Sequence, residues 1–150
     1  MKKEIVELLT NRVTEALKGN VEAKHRIKDL EDENFDQMKA FATSVIEVVD
    51  ITDKVISHFE ERMEDADKMT VSIFKKYKVL QKRLLSALRQ QGIEQIDFPE
   101  NKIIFGQTEI LETEKHPEKE NEEILSVIQN GYILGVDIIR SAKVISVKND

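Results

Sequence analysis

The chain has no cysteine, no tryptophan and only two prolines among its 150 residues. Lacking cysteine, it can form no disulfide, thiolate metal site or cysteine nucleophile. That absence fits a reducing compartment. Aromatic residues make up only 5% of the chain, against 35% charged and 40% hydrophobic. This balance suits long, solvated helices better than a large globular core. Basic charge is also in deficit, with 23 Lys and Arg against 29 Asp and Glu and a net charge of -6. A nucleic-acid binder would carry a basic footprint instead. No apolar run approaches the ~18 residues of a membrane span. The opening MKKEIVELLTNR has two lysines, but Glu4 and Glu7 interrupt the apolar stretch that a signal peptide needs. The composition predicts a cytoplasmic protein with neither a nucleic-acid nor a membrane partner.

What the chain does have is helix-forming residues. Proline is absent before Pro99, and Gly19 is the one glycine before Gly92. The intervening tract is filled with Glu, Lys, Leu, Ala and Arg, which predicts helix. Ile5, Leu8, Leu9, Val13, Ala16 and Leu17 repeat at the spacing of one helical face. Gly19-Asn20 either ends that helix or is a weak point within a longer one. From Ile27 a seam emerges through Leu30, Asn34, Met38, Phe41, Val45, Val48, Val55 and Phe59, with Thr52 filling a gap. Such a seam needs a partner helix. Asn34 either fixes register in a parallel dimer or sits at the seam's edge. The charged stretch Glu60–Lys68 predicts a turn. Beyond it Met69, Ile73, Tyr77, Leu80, Leu84 and Leu88 line one face of a second helix, with Phe74 and Leu85 beside them and Gly92 as its stop. Two such hairpins make a four-helix bundle. Residues 1–62 are thus expected as a long helical coiled-coil segment and 63–92 as the second bundle helix. The dimer interface is expected along the seam and along Ile73, Tyr77, Leu80, Leu84 and Leu88.

Residues 93–150 predict a small β-domain, which makes the class α+β. Ile93, Ile96 and Phe98 precede Pro99, so they form a short or edge strand. Asn101–Phe105 and Thr108–Thr113 are further candidates. From Glu109 to Glu123 seven Glu stand against Lys115 and Lys119, a local charge of -5. Glu122–Gln129 predicts a strand, Asn130-Gly131 a turn, and Asp137–Val147 one last strand.

Catalytic patterns find little support. Ser72 and Lys75 have a Ser-x-x-Lys spacing, but in mid-helix with no companion motif. His25, His58 and His116 are scattered, so no metal site is expected. No glycine-rich phosphate loop occurs, and no cofactor is implied.

Four pieces, in order, resemble the GrpE family of dimeric nucleotide exchange factors for DnaK-type chaperones. VIEVVDITDKVI at 45–56 is similar to the family's first bundle helix, with Asp50 on its acidic position. KRLLSALRQQGIEQI at 82–96 resembles the second bundle helix and the step into the β-domain. LSVIQNGYIL at 125–134 carries Gln129, Gly131 and Tyr132 of the Gln-Lys-Gly-Tyr turn. IRSAKVISV at 139–147 carries Arg140, Ala142 and Val144 of the terminal Arg-x-Ala-x-Val strand. The resemblance implies long helices forming a parallel dimeric coiled coil and a four-helix bundle, followed by the small β-domain. It implies a homodimer that promotes ADP release from a DnaK-type ATPase chaperone and is not an enzyme. Gln129, Tyr132 and Arg140 become the chaperone-binding candidates, with a glycine backbone role at Gly131. Arg140 has an alternative use in an ion pair inside the domain, to Glu122 or Glu123 for example. Two departures stand out. Phe105-Gly106-Gln107-Thr108-Glu109 replaces the family's Asp-Pro stretch, and Asp137 replaces a basic residue. A coiled-coil scaffold or adaptor with the same fold but no exchange activity is the alternative these departures suggest.

Overall fold

The computed structural model describes residues 1–60, 62–63 and 66–149. Two helices come first, α1 (Lys2–Glu60) and α2 (Lys68–Gln90). Six strands follow: β1 (Ile93–Gln95), β2 (Thr108–Glu114), β3 (Ile124–Gln129), β4 (Tyr132–Leu134), β5 (Asp137–Arg140) and β6 (Ala142–Val147). The α+β class is as expected. The chain forms two compact units, Met1–Ala40 and Phe41–Asp150.

The first unit is helix throughout. Gly19 does not end it, because one glycine costs only about 1 kcal/mol in a helix interior. Ile5, Leu9, Val13, Leu17, Ile27 and Leu30 are all exposed on the single chain.

In the second unit the rest of α1 carries two apolar faces. Ala42, Ile46, Val49 and Ile56 are buried. Phe41, Val48, Ile51 and Phe59 are exposed, although they are large and apolar. Thr52 belongs to the inner set: it is 3% exposed, and its hydroxyl donates to Val49 O at 2.7 Å. Ile51, at 60% exposure, faces outward in its place.

α2 returns antiparallel to α1. Lys78 meets Glu60 at 2.6 Å, and Gln81 Nε2 donates to Asp53 Oδ1. The start of α2 is capped by Asp67, whose Oδ1 accepts from the Met69 and Thr70 amides at 2.8 Å each. Such a cap satisfies amides that a helix start leaves unpaired. Of the predicted turn at Glu60–Lys68, Glu61, Glu64 and Asp65 lie outside the described residues. Ile73, Tyr77 and Leu80 are exposed, whereas Leu88 is only 2% exposed. Leu88 packs inside the single chain, where α2 runs into β1.

α2 ends at Gln91-Gly92, with Gly92 at φ 76° donating to Arg89 O at 2.9 Å. The β part is two three-stranded sheets, ordered β1-β4-β5 and β2-β6-β3. Among the described residues only β2 and β6 pair parallel. The strand expected over Asp137–Val147 is in fact two. Its first half pairs with β4 and its second with β2 and β3. The chain changes sheets at Ser141, and the Ala142 amide donates to Gln107 O at 2.9 Å. Asn101–Phe105 is not a regular strand. It makes one bridge, Lys102 to Glu123, flanked by left-handed Asn101 and Glu122. A core cluster on the β2-β6-β3 sheet gathers Ile124, Ala142 and Val144, with Phe98 and Ile103 packed against them.

Candidate functional site

Gln129, Tyr132 and Arg140 sit together, and the residue that joins two of them is Asp50 on α1. Arg140 forks onto Asp50, with Nη1 to Oδ2 at 2.6 Å and Nη2 to Oδ1 at 2.8 Å. This bidentate geometry is the strong form of an arginine–carboxylate pair. Arg140 Nε and Nη2 also donate to Asn130 O, at 3.1 and 2.7 Å. Gln129 Nε2 donates to Asp50 Oδ2 at 3.1 Å. One turn further along α1, Asp53 accepts from Asn130 Nδ2 at 3.1 Å and from Gln81. For the alternative use of Arg140, an ion pair inside the domain, Glu122 and Glu123 were the examples. Glu123 instead binds Lys119 at 2.9 Å, and the true partner of Arg140 lies on a helix ninety positions earlier.

Partial burial works to raise the Asp50 pKa. Hydrogen bonds from Arg140 and Gln129, with the charges of Arg140 and Lys54, outweigh that and hold it below 3.8. A depressed carboxylate contributes stability above its unfolded pKa and loses it as pH falls through the folded value. The network therefore weakens only in acid, below about pH 4.

Tyr132 is 1% exposed and lies under the Arg140 guanidinium, whose Cζ is 5.5 Å from the ring centroid. Its hydroxyl makes no hydrogen bond among the described residues. Burial, then the charges of Asp53 and Asp50, push its pKa up to about 12 despite the opposing pull of Arg140. Because the neutral phenol is the form the fold favours, this stability is present below the unfolded pKa and is lost as pH rises through the folded one. The other tyrosine is Tyr77. In a Tyr77→Phe chain, phenolate absorbance should therefore appear with a midpoint pushed up to about 12, accompanied by unfolding of the β-domain. A midpoint at the ordinary 10 would contradict the burial.

Beside this network lies a cleft of about 730 Å³, lined by Lys54, Gln81 and Leu85 on the helices and by Val127, Ile128 and Lys143 on the strands. At the far end of β5 the β4–β5 hairpin turns through Gly135, at φ 60°, and Val136, which is 94% exposed. Asp137 follows, also exposed, and its carboxylate makes no hydrogen bond among the described residues. Phe105, in the stretch that replaces the Asp-Pro motif, is exposed as well. Among the described residues no cluster of three His, Cys, Asp or Glu could hold a metal ion, and no helix is long and apolar enough to cross a membrane.

The GrpE family model matches residues 1–148. A protein named Protein GrpE from Francisella tularensis is 30% identical over 139 residues, covering 90% of this chain and 69% of the relative. Its namesake from Francisella philomiragia subsp. philomiragia is 28% identical over 151 residues, covering 98% and 76%. The chain belongs to the GrpE family.

Proposed function

We propose that this protein is a co-chaperone that promotes ADP release from a DnaK-type ATPase chaperone, acting as a homodimer. The observation that carries the reading is the match to the GrpE family along nearly the whole chain, joined to a β-domain anchored on α1 by residues of the family's own motif. The factor makes and breaks no bond. It acts by binding the open, nucleotide-free form of the chaperone better than the closed one. Linkage then requires ADP to weaken the factor's binding as much as the factor weakens ADP's. The complex with the cognate chaperone should accordingly form without nucleotide and dissociate on adding ADP, as followed by size-exclusion chromatography. A complex indifferent to ADP would favour the scaffold alternative.

Tyr132 is buried and the polar atoms of Gln129 and Arg140 are tied to Asp50, so the surface proposed for the chaperone is the hairpin tip at Val136 and Asp137. An acidic tip pairs with a basic or neutral group on the partner. Asp137→Arg should then weaken binding to the cognate chaperone by about 1 kcal/mol, the scale of an exposed charge pair. It should also strengthen binding to a conventional bacterial DnaK-type chaperone. Titration calorimetry reads both, and unchanged affinity for both would remove Asp137 from the contact.

A further inference from the structure

We propose that Asp50, Asp53, Asn130 and Arg140 form a latch that fixes the angle at which the β4–β5 hairpin is carried on α1. They are positioning residues for nucleotide exchange, not contacts with the chaperone. The functional half of this inference rests on the exchange reading above; the mechanical half does not.

The covalent joint between helices and strands is narrow. α2 passes into β1 through Gln91 and a left-handed Gly92, a two-residue connection whose amides bond back to Leu88 O and Arg89 O. Along one side of that joint runs the 730 Å³ cleft, so close packing does not fix the angle there. The polar ties cross at the edge of this cleft. Arg140, at the end of β5, reaches Asp50 with two parallel bonds. The same guanidinium holds the Asn130 carbonyl, which brings the β3–β4 turn to the same point. The Asn130 side chain continues to Asp53, and Asp53 continues to Gln81 on α2. Gln81 lies about 15 Å along α2 from Gln91 at the usual helical rise, so the tie acts on a lever away from the joint. A bidentate fork also restricts direction, which a single ammonium contact does not. Asp137 and Val136 lie on the strand and turn that Arg140 anchors, so hairpin placement follows from the fork.

The test uses the full chain, whose lack of cysteine permits clean labelling. Spin labels are placed by Glu47→Cys on α1 and Val136→Cys at the tip, and the labelled chain is diluted with unlabelled chain. Double electron–electron resonance should give a narrow distance distribution for the parent and a broadened one for Arg140→Lys and for Asp53→Asn. If Arg140→Lys does not fold, Asp53→Asn carries the comparison alone. With the cognate chaperone, the variants should lower the maximal ADP-release rate at saturating factor by about fivefold, with half-saturation little changed. Equally narrow distributions in parent and variants overturn the latch. Raised half-saturation at an unchanged maximal rate overturns the positioning role and makes Arg140 a contact. If the parent itself releases no ADP, the exchange reading falls, and the distance distributions still decide the latch.

Discussion

Gly131→Ala should unfold the β-domain while leaving the helices in place. An added Cβ would sit 2.6 Å from Ile96 Cδ1, nearer still to the Ala142 amide nitrogen and 3.0 Å from Ala142 Cα. Ile96 could shift its side chain; Ala142 could not move so easily. It is fully buried at the start of β6, with its amide held by Gln107 O. Gly131 O accepts from the Ile96 amide at 2.9 Å, so the glycine cannot retreat without breaking that bond. Overpacking of this kind costs about 3 kcal/mol and sometimes more. A β-domain of 93–150 has little to spare, because small domains bury proportionally less surface. Amide resonances of β1 to β6 should lose dispersion while most far-UV helical signal survives. Gly19→Ala is the matched control. A Cβ there meets nothing within 4 Å, and removing a mid-helix glycine should stabilise α1 by about 1 kcal/mol. A Gly131→Ala chain with parent-like β resonances would contradict the packing described.

Val48→Asp should dissociate the dimer. The single chain leaves Phe41, Val48, Ile51 and Phe59 of α1 and Ile73 and Leu80 of α2 exposed. Exposed apolar side chains in this number fit the association surface of the proposed homodimer. Val48 already faces water in one chain, so aspartate there costs the monomer little. In the dimer it buries an unpaired charge, worth about 3–5 kcal/mol at each copy. Sedimentation equilibrium should give twice the 17.3 kDa chain mass for the parent and the single mass for the variant. A parent that sediments as a monomer would end the homodimer proposal.

The helices were legible because no proline falls in the first ninety residues and their apolar residues repeat. One seam was legible; the second face of α1 was not. A helix with apolar residues on two faces carries them around most of its circumference, so a single stripe drawn through Val45, Val48, Thr52 and Val55 mixes the two. That is why Thr52 was placed on the seam and Ile51 missed. The motif brought Gln129, Tyr132 and Arg140 to attention, and the structure groups them. Their connection was hidden, because Arg140 and Asp50 are distant in sequence and nearby Glu122 and Glu123 offered the simpler pairing. A signal was present in Asp50 and Asp53, two carboxylates one turn apart beside buried Val49, which need donors from elsewhere. Gly131 was expected to serve backbone freedom in a turn. The need at this position is space, since a neighbouring strand passes too close for any side chain. The break at Ser141 was illegible because Asp137–Val147 has β-forming residues on both sides of it, and only long-range pairing assigns the halves to different sheets.

The proposal that this GrpE-family protein drives nucleotide exchange is tested most directly by stopped-flow release of a fluorescent ADP from its cognate DnaK-type chaperone. Adding the protein should accelerate release in a saturable manner, and Val48→Asp should blunt that acceleration. Release at the chaperone's own basal rate, at concentrations where the two proteins demonstrably bind, would contradict the account and leave a GrpE-fold scaffold.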